Sequence, residues 1–132
     1  MKKIVARVED LMFRAKIDAA ARHLAVGVEF VTNGADLARA CAGGPAVLLV
    51  ELTPGTLEEV QKMFPAGKVS VVPVVAFAPH QDKALLEAAH KAGIGRVLAR
   101  SQFAESLPDL IHEFTAPGLS REAEEEPELP DE

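Results

Sequence analysis

The sequence predicts an α/β protein, a (βα)₅ three-layer sandwich in which five short parallel strands form a sheet covered by helices on both faces. Three observations predict it. Two hydrophobic periods alternate along residues 1–116, and short alternating strand–helix units require parallel strands joined by right-handed crossovers. Apolar residues make up 48% of the chain but aromatics only 5%, with no Trp or Tyr; a core of Val, Leu, Ile and Ala suits a buried parallel sheet. The length of 132 residues fits one domain, large enough to bury roughly two thirds of the surface of its unfolded chain without staples.

The elements follow in order. Residues 4–8 are a short apolar run, mostly β-branched, closed by Glu9-Asp10. Phe13, Ile17, Ala20 or Ala21, and Leu24 then recur at helical spacing, with Asp10 placed as N-cap. Residues 26–31 read as a second strand ended by Asn33-Gly34, followed by a helix through Leu37 and Cys41 that Gly43-Gly44-Pro45 stops. Residues 46–50 form the most apolar strand, with no polar residue until Glu51. Thr56-Leu57-Glu58-Glu59 matches a capping box, opening a helix that turns Leu57, Val60 and Phe64 inward. Residues 71–78 are the fourth strand, with Pro73 near a start that lacks a full ladder. Residues 82–92 are an Ala- and Leu-rich helix ended by Gly93, and residues 97–99 a brief fifth strand. Pro108 would break a helix capped by Ser101, so a short turn near Phe103 and a helix restarting at Pro108 and running to Phe114 are expected. No internal repeat is visible.

Charge divides the chain in two. Residues 117–132 hold seven acids and one base, which accounts for the whole net charge of −6 and leaves residues 1–116 with equal numbers of each sign. The expected organisation is a folded domain over 1–116 and an acidic, disordered tail over 117–132. A neutral body with an acidic tail has no electrostatic footprint for phosphate backbones, so no nucleic acid is expected as partner. A single cysteine, Cys41, rules out an internal disulfide and reads as a small core residue. The apolar stretch after Lys2-Lys3 is interrupted by Arg7, Glu9 and Asp10, and no run approaches the ~20 residues of a membrane span. No membrane association and a cytoplasmic location are expected.

In an open parallel sheet, ligands gather beyond the carboxyl ends of the strands. Those ends carry Glu9 and Asp10 after the first strand, Glu51 after the third, Ala78-Pro79-His80 after the fourth and Arg100-Ser101 after the fifth. Carboxylates converging with a cation are what a hard divalent ion beside a phosphoryl group requires. Read singly, Glu51 is also a solvated strand end, and Asp10 is explained by helix capping. His23, His80, His90 and His112 lack ligand spacing for zinc. No glycine-rich phosphate loop follows the first strand, and no Ser-His-Asp order with a nucleophile elbow occurs.

The order of elements and the loop positions resemble the receiver domain of two-component response regulators, over roughly residues 3–114. The resemblance implies a flavodoxin-like sheet of order 2-1-3-4-5. It implies an acidic pair at Glu9-Asp10, displaced by up to one residue, with Glu51 at the phosphoacceptor position and Ala78 at the hydroxyl position. Arg100 falls at the lysine position, Ser101 at the following proline and Val97 at the switch aromatic.

The departures set the expected function. Glu51 is one methylene longer than the family's Asp, and a misplacement of about 1 Å can cost on the order of 10²-fold in such chemistry. Ala78 has no hydroxyl for a phosphoryl oxygen, and Arg100 suits a bidentate pair with Glu51 or Asp10. The expectation is a stand-alone pseudo-receiver: a phosphorylation-independent signalling or protein-interaction module, not an enzyme and without a cofactor. Arg100 would serve as internal counter-ion to Glu51 and the Glu9-Asp10 pair. No output domain fits after residue 116, so output would pass through a protein partner. By resemblance the contact surface is the fourth helix, fifth strand and fifth helix, with Leu86, His90, Lys91, Val97 and Phe103 in or near it, and it is also the surface through which a homodimer would form. Two alternatives stand beside this: a responsive receiver binding Mg²⁺ and a phosphoryl group through Glu9, Asp10 and Glu51, and a small-ligand-binding flavodoxin-like protein using the same crevice.

Overall fold

Five strands and five helices alternate in the computed structural model, which describes residues 3–63 and 72–116. They are β1 (Lys3–Arg7), α1 (Leu11–His23), β2 (Gly27–Phe30), α2 (Gly34–Ala42), β3 (Val47–Glu51), α3 (Pro54–Met63), β4 (Val74–Ala78), α4 (Lys83–Lys91), β5 (Arg96–Ala99) and α5 (Arg100–Thr115). The strands form one parallel sheet in the order β2-β1-β3-β4-β5, the flavodoxin-like arrangement expected from the sequence. The inward residue Phe64, the first residue of the expected fourth strand, Val71, and the tail 117–132 lie outside the described residues.

Alternation along the strands builds two cores. Ile4, Ala6, Val47, Leu49, Val75 and Phe77 point to the face covered by α1 and α5. Val5, Leu48, Val50, Val74 and Ala76 point to the face covered by α2, α3 and α4. The central strands are apolar on both sides because helices cover both. On the α1–α5 face, Phe77 stacks on Phe103 with ring centroids 4.1 Å apart, and Phe13 lies 4.9 Å from Phe77.

Several local readings change. The first strand ends at Arg7 rather than Val8, although Val8 is fully buried. Helix α3 starts at Pro54 and not at a Thr56 cap. The reciprocal cap is Thr53 with Thr56: the Thr56 N–H donates to Thr53 Oγ1 (3.0 Å) and the Thr53 N–H to Thr56 Oγ1 (2.9 Å). Pro54 then fills the first helical position, where its missing N–H is not needed. The larger correction concerns α5, which is one continuous helix with Pro108 inside it. Phe103, Leu107, Leu110 and Ile111 form a single buried stripe at helical spacing. Burying that stripe against the sheet and α1 outweighs the roughly 3 kcal/mol that a proline costs in a helix interior. The helix begins at Arg100, and the Gln102 side chain accepts from the Ala99 N–H (3.0 Å), so Ser101 is not its cap.

Candidate functional site

Parallel strands bring Glu9, Asp10, Glu51, Ala78 and Arg100 to one edge of the sheet, but the structure does not gather their charges at one point. Asp10 caps α1: its Oδ1 accepts from the Met12 N–H (2.8 Å) and the Phe13 N–H (3.1 Å). Its other oxygen, Oδ2, accepts from Arg100 Nη2 at 2.9 Å. The Phe13 N–H does most to hold the Asp10 carboxyl below the usual carboxylate range; desolvation opposes it, and the Met12 N–H and the charge and hydrogen bond of Arg100 add to it. Arg100 also lies over the Phe13 ring, 5.0 Å from its centroid.

Glu51 uses its length differently from the sequence-based expectation. Its Oε1 accepts from the Glu9 N–H (2.8 Å) and the Asp10 N–H (3.1 Å), tying the end of β3 to the loop that leaves β1. Arg100 therefore pairs with Asp10 and not with Glu51. Glu9 is turned away to the α3 side, where its carboxylate meets Arg7 Nη1 at 3.2 Å. Ala78, the last residue of β4, is buried and presents only a methyl group. Glu51, Ala78 and Arg100 line a cleft of about 260 Å³ together with Thr53, Pro79 and Asp82; Glu9 and Asp10 are not among its lining residues. His80, beside it in the chain, is exposed.

The principal feature that sequence reasoning missed is Arg7. It is 6% exposed, and its Nε and Nη2 reach the two carboxylate oxygens of Glu59 on α3 at 2.9 and 3.2 Å. The Glu59 hydrogen bond, opposed by burial and helped by Glu9, raises the Arg7 pKa above its ordinary value. The signal was present as a charge at the end of a buried apolar strand, which must find a partner. Gly34 is part of the same arrangement, since a Cβ there would meet Glu59 Cγ at 3.3 Å. Asp82 and Thr53, which border the cleft, were also not singled out; each caps a helix, Asp82 by accepting from the Leu85 N–H.

These positions decide the fit to a divalent cation. Asp10 already accepts from two backbone N–H groups and Arg100, Glu51 from two backbone N–H groups, and Glu9 faces Arg7. Among the described residues no group of three His, Cys, Asp or Glu is placed to hold a metal ion. The donor set in this arrangement does not fit Mg²⁺ at Glu9, Asp10 and Glu51. Cys41 is buried in α2, and burial pushes its thiol up to about 11, which keeps it protonated and unreactive near neutral pH.

The surface expected for a partner is only partly as read. Leu86, His90 and Val97 line a groove of about 470 Å³ between α4 and β5. Lys91 is exposed in the last turn of α4. Phe103 is not a surface residue: it is fully buried against Phe77, because α5 turns this position toward the sheet.

No protein-family model matches the chain, and no curated protein sequence matches it. Solved structures do. The response regulator from Hahella chejuensis is 16% identical with a TM-score of 0.70, over 88% of this chain and 96% of that one. The signal receiver domain of a response regulator from Bermanella marisrubri is 22% identical with a TM-score of 0.68, over 85% and 96%. The receiver domain of a sensor histidine kinase from Pseudomonas aeruginosa, which holds a magnesium ion in its active site cleft, is 17% identical with a TM-score of 0.63, over 86% and 96%. The chain thus has the fold of response regulator receiver domains. No described helix is long and apolar enough to cross a membrane.

Proposed function

We propose that the chain is a degenerate receiver that acts as a phosphorylation-independent signalling or protein-interaction module rather than as an enzyme. The observation that carries this is the internal satisfaction of the acidic site. Asp10 is held by Arg100 and two N–H groups, and Glu51 by two N–H groups of the neighbouring loop. A phosphoryl switch needs a free acceptor, a cation and a hydroxyl that follows the phosphoryl group. Here the acceptor is engaged and the carboxylates are apart, while the hydroxyl position is Ala78. Arg100 supplies a positive charge, but Asp10 already holds it at 2.9 Å. The output surface in this reading is the α4–β5 groove, offered to a protein partner or to a second copy of the chain.

NMR of the full chain, titrated first with Mg²⁺ and then with beryllofluoride as phosphoryl mimic, tests the reading. A silent spectrum is expected. Shifts at Asp10, Glu51 and Arg100 that spread to α4 would mean a responsive receiver and overturn it. In the same reading Arg100→Ala lowers the unfolding midpoint, because it removes both the Asp10 contact and the contact with Phe13.

A further inference from the structure

We propose that the cleft beyond β3 and β4 binds a free α-amino acid with a short apolar side chain, taken as a zwitterion. The cleft holds about 260 Å³, and its lining is apolar except for charges of both signs. Leu52, Phe77 and Ala78 are its buried part, and half-buried Leu85 of α4 joins them. Glu51, Asp82 and Arg100 supply the charges. Each of the three has polar atoms that no described residue engages. Glu51 spends Oε1 on the Glu9 and Asp10 N–H groups and keeps Oε2. Asp82 spends Oδ1 on the Leu85 N–H and keeps Oδ2. Arg100 gives Nη2 to Asp10 and keeps Nε and Nη1.

Charge and size then select the ligand. A bare anion would meet two carboxylates, and the one guanidinium is already paired with Asp10. A bare organic cation would meet Arg100. A molecule that carries an ammonium and a carboxylate on one carbon answers both signs at once. Its ammonium donates to Glu51 and Asp82, and its carboxylate accepts from Arg100, each as a charge-assisted hydrogen bond. The apolar lining takes a side chain of the size of valine or leucine. A volume just under the roughly 300–1,000 Å³ of drug-sized ligand pockets suits a single amino acid and is too small for a nucleotide.

The position gives such a ligand something to act on. Asp82 caps α4 and Leu85 lies in its first turn, while the next residue, Leu86, lines the α4–β5 groove. A bound amino acid therefore bears on the start of the helix that carries the output surface. Its role as the input of a module that phosphorylation does not drive rests on the functional reading above; the binding itself does not.

The test is an NMR titration of the full chain with L-valine and L-leucine at millimolar concentration. Two fragments of leucine are titrated beside them: isoamylamine, which lacks the carboxylate, and isocaproate, which lacks the ammonium. An amino acid should shift the signals of Leu52, Ala78, Asp82, Leu85 and Arg100. Each fragment should bind roughly tenfold more weakly than leucine, having lost one charge-assisted pair. Asp82→Asn keeps the helix cap and should also weaken leucine binding, by about tenfold. No shift with either amino acid would overturn the proposal. So would a fragment that binds as tightly as leucine, or an Asp82→Asn affinity equal to that of the native chain. A response to Mg²⁺ or beryllofluoride would count against the functional reading alone, and a silent amino-acid titration against this proposal alone.

Discussion

Two carboxylate contacts carry most of the behaviour at the scale of single residues. Asp10 is an N-cap and an ion-pair partner at once, and both roles favour its charged form. Its folded pKa lies below the unfolded value, so its contribution to stability is complete above about pH 4. That contribution is lost as the pH falls through the folded value. Asp10→Asn keeps the cap, since Asn caps as well as Asp, but removes that titration. Stability measured by denaturant against pH should then fall less steeply on the acid side than in the native chain. Arg7 and Glu59 act on the other face. Removing one partner of a buried ion pair costs about 3–5 kcal/mol, and the Glu59 side chain is 25% exposed, so it can rehydrate in part. Arg7→Ala should therefore cost near the lower end, about 3 kcal/mol. The double variant Arg7→Met with Glu59→Leu should cost less than Arg7→Ala alone, and a denaturant-based mutant cycle reads both. Of these residues the sequence marked Asp10 as a cap and left Arg7 as an interruption of an apolar run. A cap bonds to neighbours in the chain and is legible locally. The partner of a buried charge lies 52 residues away and is not.

Among the elements, α5 shows how tertiary packing overrides a local rule. Pro108 lacks the N–H that would bond to the Ala104 carbonyl, yet Phe103, Leu107, Leu110 and Ile111 span it as one buried face. Pro108 itself is exposed, so its replacement disturbs no packing. Pro108→Ala should raise stability by up to about 3 kcal/mol, the proline penalty in a helix interior; thermal and denaturant unfolding would read the gain. If the variant were less stable than the native chain, the penalty would already be relieved in the native helix. The same contrast holds at α3. The Thr-Leu-Glu-Glu pattern was a valid capping signal, but Glu59 is held by Arg7, and Thr53 takes the cap with Pro54 behind it. Helix boundaries are weak in sequence because several residues in a short window can cap, and only the surrounding contacts choose among them.

At the scale of the whole molecule, burial is graded across the sheet. Val47, Leu48, Leu49 and Val50 of β3 have no exposed surface, and β4 is buried throughout, whereas every residue of the edge strand β5 is partly exposed. Amide hydrogen exchange should therefore be slowest in β1, β3 and β4 and faster in β2 and β5, since opening at an edge breaks one ladder rather than two. Equal protection across all five strands would contradict this. The sequence by itself determined the element order, the parallel sheet and the apolar two-sided core, because hydrophobic period and turn residues are properties of short windows. It also placed Glu51, Ala78 and Arg100 at one edge, because βα topology delivers every strand end to the same side. The tertiary structure alone decided which charge answers which: Asp10 to Arg100, Glu51 to a loop backbone, Glu9 and Glu59 to Arg7. Phe103 became core rather than surface for the same reason. Pairing and burial depend on distances between segments far apart in the chain, and those distances exist only once the sheet and its helices are packed.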